Sequence, residues 1–597
     1  MSRLPPSAHT HLNDAGLIFA DEFNDSYFSR DDGLAESQAV FLAGCDLPHG
    51  WADRSSFVIG ELGFGTGLNV LATWDLWNKH RPLGGILHIF TVEGFLLDAK
   101  TAQAVHRHWP QLRHLSDQLV AKWPTRAYGA QRIWFPDDGV CLTFLIGPCE
   151  DVLSRMAFQA DCWFLDGFAP SRNLDMWSPR VLAHVARLSA PQARLATYSV
   201  AGSVRAGLVQ AGFDVRRVPG FGSKRQRLEA HRLGAIQLVP KCPQTAIVIG
   251  GGIAGASVSA ALIRRGLKVE LFDADPCART KASGNPVALI MPRLDRADTR
   301  EGRFFRAAYV MAVDAYNSMG EAAFRATGVH EVGADEAACI RLTNLVDDPP
   351  LPPDHITNPD GQSLIHLQGG LAYPDAVLKH LTLGARCHPI AVNRVSSHDG
   401  AWHAYDEAGH CLATADICVV ANGPGAALFC NLGASLRGRA GQLSWASVDD
   451  AIPEVPLSGG AYAAPFHHRL VFGATYEHCE IGASPPPVTL ENHRLNRDKL
   501  AVIAPNLAGH IDINTASGRS SVRAATPDQL PVVGAVEGEG PGKFILCALG
   551  SRGFTTAFLC AEIIASQACG EPSPVEIDVA IALAPDRFAK RAAKRAS

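Results

Sequence analysis

Two glycine clusters of different type define the chemistry to look for. Gly250, Gly252 and Gly255 stand in Gly-x-Gly-x-x-Gly spacing after the apolar run 246–249, and Asp273 closes the next apolar segment. Those residue types suit a pyrophosphate. The first glycine permits a tight turn, the second lets the backbone approach the phosphates, and the third lets a helix lie close to the sheet. The helix N-terminus then faces the anion, and the acid is placed to hold ribose hydroxyls. The other cluster, Glu61-Leu62-Gly63-Phe64-Gly65-Thr66-Gly67, follows the apolar run 57–59, and Glu93 ends the next one. Asp166 ends a third run and precedes Gly167 and Pro170. A carboxylate at the C-terminal end of a central strand faces the ligand crevice of a doubly wound sheet. It can orient an amine there and accept its proton; capping a helix is the alternative use of the same residue. Late in the chain, Arg552 lies between Ser551 and Gly553, and Arg523 precedes Ala524 and Ala525. A guanidinium fork matches a carboxylate in a way that an ammonium does not.

These residues require a particular set of elements. Strands are expected at 57–61, 86–93, 141–146, 161–166, 193–199 and 213–218, alternating with helices as in an α/β domain with a largely parallel sheet. The first helix would bury Leu68, Val70, Leu71 and Trp74. Residues 235–244, with Pro240, Lys241 and Pro243, read as a linker, and a second βαβ unit opens at Thr245. Short alternating segments within about 330–520 suggest a β-rich subdomain, and the nucleotide-domain pattern returns at 417–423 and 544–550. The expected fold class is α/β. A Rossmann-like domain over 1–240 precedes a 245–597 domain made of a dinucleotide-binding part and a β-rich substrate part.

Composition narrows the function classes. A chain of 597 residues exceeds one core and predicts two to four domains. With 47% hydrophobic and 19% charged residues it reads as a soluble globular protein. No apolar run reaches ~18 residues and the first residues lack a signal-like core, so a cytoplasmic location is expected. The 15 cysteines show no CxxC pairing, which suits reduced thiols and offers no zinc spacing. A net charge of −5 argues against nucleic-acid binding through bulk charge. Local basic clusters remain: Arg216, Arg217, Lys224, Arg225, Arg227 and Arg232, and then Arg587, Lys590, Arg591, Lys594 and Arg595 at the end.

Ser283-Gly284-Asn285, the segment 420–424, and Gly550-Ser551-Arg552-Gly553 with its surroundings resemble the D-amino-acid oxidase and glycine oxidase group of flavoenzymes over about 245–575. The resemblance implies FAD, with Gly250, Gly252, Gly255, Asp273, Ser283, Gly284, Asn285, Gly550 and Gly553 on the cofactor side. It also implies that Arg523 and Arg552 clamp a substrate carboxylate. The segment 61–67 resembles motif I of the class I S-adenosylmethionine methyltransferases, with Glu61, Gly63, Gly65, Gly67 and Glu93 on the cofactor side. No Asp follows Gly147 directly, so the adenine contact falls to Glu150 or a backbone N–H.

Taken together, Tyr27-Phe28-Ser29 with Gly33-Leu34-Ala35-Glu36-Ser37, the segment from Asp166 to Asn173, Gly220 to Arg225, Ala282 to Asn285 and Gly550 to Gly553 resemble the bifunctional enzymes of tRNA 5-methylaminomethyl-2-thiouridine biosynthesis. That resemblance implies oxidative removal of a carboxymethyl group from a modified wobble uridine, followed by N-methylation at Asp166. It implies a tRNA anticodon loop as partner, contacted by Lys224, Arg225 and Arg227, with no membrane, no metal ion and a monomeric chain. Alternatives of other classes are a free amino-acid oxidase fused to a small-molecule amine methyltransferase, a pyridine-nucleotide dehydrogenase, and a non-catalytic binding module.

Overall fold

A computed structural model describes residues 4–12, 18–28, 32–222, 224–235, 242–275, 280–295, 297–430, 436–448 and 452–596, without the side chains of 595 and 596. Ser29, Ser223, the Arg595 side chain and most of the expected linker, Pro240 and Lys241 included, lie outside the described residues. The chain forms two compact units. One comprises Met1–Pro240 with Glu571–Ile577, the other Lys241–Gly570 with Asp578–Ser597.

The first unit is built on eight strands: β1 (Ser56–Leu62), β2 (Ile86–Glu93), β3 (Gly129–Phe135), β4 (Val140–Ile146), β5 (Ala160–Leu165), β6 (Ser189–Thr197), β7 (Phe213–Pro219) and β8 (Gln226–Arg232). Their order is β7-β8-β6-β5-β1-β2-β4-β3. The middle strands are parallel, whereas β3, β7 and β8 join antiparallel at the two ends. Strand β1 is buried on both faces except at Ser56, as its continuous apolar run requires in a covered parallel sheet. Leu62 pairs with Val92 on one side and Leu165 on the other. That register sets Glu93, the last residue of β2, beside Gly63 and Asp166, the residues just beyond the ends of β1 and β5. Helix α1 (Leu68–His80) follows the glycine loop and buries Leu68, Val70, Leu71 and Trp74 as expected, together with Asn69, Ala72 and Thr73, so its first two turns are covered on all sides. Separate apolar clusters cover the two faces of the sheet, one around Trp51, Trp74 and Trp77, the other around Phe90, Trp163 and Val185.

The heptapeptide Glu571–Ile577 packs in this first unit, although its place in the sequence lies within the expected second domain. Pro572 O accepts from Arg132 Nη2 at 3.0 Å, and Glu576 Oε1 accepts from the backbone N–H of Ala130 at 3.4 Å. The Glu571 carboxylate lies 3.6 Å from His88 Nε2, both side chains being buried.

The second unit contains a six-stranded sheet of β9 (Thr245–Ile249), β10 (Lys268–Phe272), β11 (Arg386–His388), β12 (Ile417–Val420), β13 (Val532–Ala535) and β14 (Lys543–Cys547), in the order β11-β10-β9-β12-β14-β13. All its pairings are parallel except β13 with β14. Helix α2 (Ile253–Ile263) follows β9, and α3 (Gly553–Cys569) follows β14 through the turn that carries Arg552. A nine-stranded sheet, from Val329–Glu331 to Ser517–Ala525, provides the β-rich part. Among the described residues no helix is long and apolar enough to cross a membrane.

The contacts of Glu571–Ile577 make it part of the first unit's packing. Residues 1–240 joined to 571–577 through a flexible linker should therefore melt at a higher temperature than 1–240 alone. Losing the hydrogen bond to Arg132 alone should cost about 1.5–3 kcal/mol. Equal melting temperatures in calorimetry would reduce the heptapeptide to a surface cover.

Candidate active sites

In the first unit a cavity of about 910 Å³ opens at the ends of β1, β2 and β5. Gly63, Gly65, Glu93, Asn69, Asp166, Tyr198 and Lys224 line it. Gly63 has φ +84°, and a Cβ there would lie 3.0 Å from Asp166 O, so the loop can run against the Asp166 turn only with glycine. Glu93 Oε2 accepts from Gly65 N–H at 2.9 Å and Oε1 from Phe95 N–H at 2.7 Å. Burial raises its carboxyl above the ordinary range, against those hydrogen bonds.

Asp166 Oδ2 accepts from Asn69 Nδ2 at 2.8 Å, and Oδ1 from Gly167 N–H at 2.8 Å. Burial pushes its carboxyl up to about 6, despite those two donors and the nearby Lys224. Lys224 Nζ sits 2.7 Å from Glu36 Oε1 and 4.0 Å from the centroid of the Tyr198 ring. Tyr198 in turn donates to Gly167 O at 2.6 Å. The aromatic wall is completed by Phe168, stacked on Phe23 at 4.6 Å. Asn173, Asp175 and Met176, from the segment after Pro170, also line the cavity, as do Cys149, Glu150 and Asp151 on its other side. A glycine loop pressed on the strand ends, a carboxylate that accepts the loop's N–H, and this volume fit S-adenosylmethionine.

Not every expected residue faces the cavity. Glu61 is buried within β1, accepts from Thr91 Oγ1 at 2.6 Å, and is pushed up to about 8 by burial. It supports the loop without lining the cavity. Of the three expected RNA contacts, Lys224 turns into this cavity and Arg227 pairs with Glu229 at 2.6 Å. Arg225 is exposed and makes no side-chain hydrogen bond or ion pair among the described residues, a property it shares with Arg217 on the edge strand β7. Asn69 was not singled out from sequence, and Glu36 entered only as part of the Gly33–Ser37 segment, with no site role. Asn69 had a signal, standing on the first turn of the helix that leaves the glycine loop, whereas Glu36 is remote in the chain.

In the second unit, a Cβ on Gly255 would lie 1.7 Å from Gly250 O, so the helix start can pack on the loop only through glycine. Asp273 Oδ2 accepts from Gly251 N–H at 2.6 Å. Ser283 Oγ accepts from Ile253 N–H at 3.0 Å, at the start of α2. Asn285 Oδ1 accepts from Arg519 Nη1 at 2.6 Å. This cradle, with Gly252 pressed close under Ser283 and its acid beneath the loop, fits the pyrophosphate and ribose of FAD.

A cavity of about 560 Å³ in the same unit is lined by Gly550, Ser551 and Arg552, together with Arg293, Asp295, Glu331 and Arg341. Arg341 pairs with Glu331, whose other oxygen accepts from His366 Nε2 at 2.8 Å. Burial opposes ionisation of Glu331, but those partners hold it down to about 2. Arg293 pairs with Asp295 at 3.3 Å. The Arg552 guanidinium has no hydrogen bond or ion pair among the described residues, and burial lowers its pKa from the ordinary value. Arg523 is placed elsewhere: it lies on the strand Ser517–Ala525 opposite Arg439, with Tyr462 and Arg519 as electrostatic neighbours, and does not line the Arg552 cavity. Glu331 and Arg341 carry no sequence signal, coming from a strand and a helix of the β-rich part.

Fold and cavities together define a two-site enzyme, a methyltransferase-type unit in one chain with a flavin-type oxidoreductase unit. A family model for S-adenosyl-L-methionine-dependent methyltransferases matches residues 110–232, and one for FAD dependent oxidoreductases matches residues 245–567. The chain is 40% identical over 577 residues to the tRNA 5-methylaminomethyl-2-thiouridine biosynthesis bifunctional protein MnmC of Maricaulis maris (strain MCS10), covering 96% of this chain and 95% of that one. It is 38% identical to the protein of that name from Caulobacter sp. (strain K31), with 99% of each chain covered, and 34% identical to the one from Thiobacillus denitrificans (strain ATCC 25259 / T1), with 96% and 97% covered. The chain belongs to this MnmC family.

Asp166 has to be ionised to take a proton from an amine. With its carboxyl near 6, methyl transfer should be supported above that pH and decline as pH falls through it. Asp166→Asn should lower the rate roughly 10²–10⁴-fold and abolish that acid limb, measured as initial methylation rates against pH. An unchanged rate would leave Asp166 as a turn former.

Proposed function

We propose that this chain carries out two successive steps on a tRNA wobble uridine bearing a 5-carboxymethylaminomethyl group. The first is FAD-dependent removal of the carboxymethyl group and the second is S-adenosylmethionine-dependent N-methylation of the resulting amine. The observation that carries the reading is one chain holding both an unpaired, desolvated Arg552 in an oxidoreductase unit and a desolvated Asp166 beside a methyltransferase glycine loop. The first group calls for a carboxylate and the second for an amine, and the substrate offers them in that order. The near-complete coverage of MnmC relatives supports the same pairing.

In the oxidoreductase unit, Arg552 takes the substrate carboxylate and so fixes the methylene between carboxylate and nitrogen. Bound FAD supplies the acceptor for the hydride that leaves this methylene. The C–N single bond becomes an imine as the nitrogen gives up its proton. Water adds to the imine carbon and the C–N bond breaks, releasing glyoxylate and leaving a primary aminomethyl group on the base. In the methyltransferase unit, Asp166, held by Asn69 and the Gly167 N–H, receives the amine, aims its lone pair and accepts a proton. S-adenosylmethionine supplies the methyl group. Lys224 and Glu36 form a charge pair next to Asp166 and keep the cavity polar. A base reaches either cavity only when splayed from its stack, as anticodon-loop bases can be. Exposed Arg225, next in the chain to cavity-lining Lys224, and Arg217 on β7 are candidate contacts for its phosphates.

Arg552→Ala should retain its flavin, because the pyrophosphate cradle is Gly250–Gly255, and should lose roughly 10- to 100-fold in kcat/KM for glyoxylate release. Arg552→Lys should recover little, since a point charge lacks the fork. Wild-type glyoxylate release by flavin-loaded Arg552→Ala would remove this arginine from substrate binding.

A further inference from the structure

The Arg552 cavity has a volume of about 560 Å³, and its wall extends well beyond the arginine. Two further residues of its wall have features that protein contacts do not explain.

Tyr476 lines the cavity and is 52% exposed, the one aromatic ring among the exposed large apolar side chains of the described residues. Its exposure is not due to a loose backbone. Thr475 N–H donates to Gln442 O at 3.1 Å, and Thr475 Oγ1 accepts from Gln442 N–H at 2.8 Å. On the other side, Glu477–Cys479 pairs with Gly438–Ala440. The ring is thus presented from a backbone fixed before and after it. The Arg439 guanidinium lies 5.5 Å from its centroid, a cation–π contact that holds the ring plane.

Gln529 lines the same cavity with φ +59°, a left-handed conformation that a non-glycine residue keeps only when its surroundings enforce it. Thr526 Oγ1 bonded to Leu530 O at 2.6 Å, and Asp528 bonded to Arg587 and Arg591, brace the turn. The Gln529 side-chain amide is exposed and makes no hydrogen bond among the described residues.

We infer that Tyr476 and Gln529 form a nucleobase subsite of the oxidoreductase cavity, which takes a uracil ring while Arg552 takes the carboxylate attached to it. The inference rests on the functional reading above and adds to it the residues that distinguish a uridine from a free amino acid. An open aromatic ring on a fixed backbone is a stacking platform, which works for any base. A primary amide offers one acceptor and two donors, and the uracil edge presents the complementary N3–H and carbonyl oxygens. Both residues act by positioning the base and neither touches the reacting carbon.

The test uses the intact flavin-loaded protein and two dead-end ligands without an oxidisable amine, 5-carboxymethyluridine and acetate, titrated against the visible flavin spectrum. Wild-type protein should bind the uridine ligand more tightly than acetate. Tyr476→Ala should cut that advantage roughly 10-fold or more, the loss of one base–aromatic stack, while Tyr476→Phe keeps most of it. Gln529→Ala should cut it less, by a few-fold. On modified tRNA, Tyr476→Ala should raise KM far more than it lowers kcat. A wild-type advantage that survives intact in Tyr476→Ala overturns the subsite and leaves the functional reading standing. A wild-type protein that binds acetate and 5-carboxymethyluridine equally overturns both.

Discussion

Desolvation of charge is the constraint on which both units turn. A carboxylate or guanidinium taken from water is stable only where hydrogen bonds or an opposite charge answer it. Asp166 is answered in part by an amide and one backbone N–H, and its carboxyl still rises to about 6. Arg552 has no hydrogen bond or close ion pair among the described residues and feels Glu331 and Asp295 only at longer range, while its neighbours Arg293 and Arg341 pair with Asp295 and Glu331 directly. The scaffold explains how such groups are tolerated. Each is set beyond a strand end, where the chain turns, and each adjoins a glycine-containing loop; at Asp166 the turn also supplies a backbone donor. The two sites also differ in sign. One presents a guanidinium without an ion-paired partner among the described residues, suited to a carboxylate, the other a carboxylate suited to an amine.

The order of strands determines which residues share a site. In the first unit, β1 lies between β2 and β5, so Gly63, Glu93 and Asp166, separated by many residues in sequence, meet at one edge of the sheet. In the second, β9 lies between β10 and β12, which brings Asp273 under the Gly250 loop. The heptapeptide Glu571–Ile577 shows that the division into units is not a single cut in the chain. It follows α3, the helix that begins at Arg552, and its contacts with Ala130 and Arg132 complete the packing beside β3.

Much of this was legible in the sequence because the cofactor cradles are local. Glycine spacing, a preceding apolar run and a following acid all fall within one βαβ unit, and the strand ends could be read from hydrophobic runs alone. Asp166 was readable for the same reason, standing at a strand end before a glycine and a proline. What was not legible depends on contacts between remote segments. Arg523 and Arg552 both sit in late-chain segments with small neighbours, yet Arg523 falls on the strand Ser517–Ala525 near Tyr462 and Arg519 and does not line the Arg552 cavity. Lys224 stood in a basic run that suggested a solvent or RNA face, but Glu36 and the Tyr198 ring draw it into the methyltransferase cavity. Glu61 belongs to the glycine motif by spacing, yet its side chain points to Thr91 within the sheet. Tyr476 carries no motif and Gln529 stands inside the late-chain stretch from Arg523 to Gly534 without a role of its own, and only the folded cavity places them beside Arg552.

The central claim is that one chain performs two ordered steps on one base. The direct measurement is nucleoside analysis, by chromatography and mass spectrometry, of tRNA bearing 5-carboxymethylaminomethyluridine after incubation with the flavin-loaded protein, with and without S-adenosylmethionine. Without it, the account predicts that 5-aminomethyluridine accumulates with one glyoxylate released per base. With it, 5-methylaminomethyluridine should replace that product. Substrate nucleoside left unchanged by flavin-loaded protein, or a methylated nucleoside that still carries its carboxymethyl group, would contradict the account.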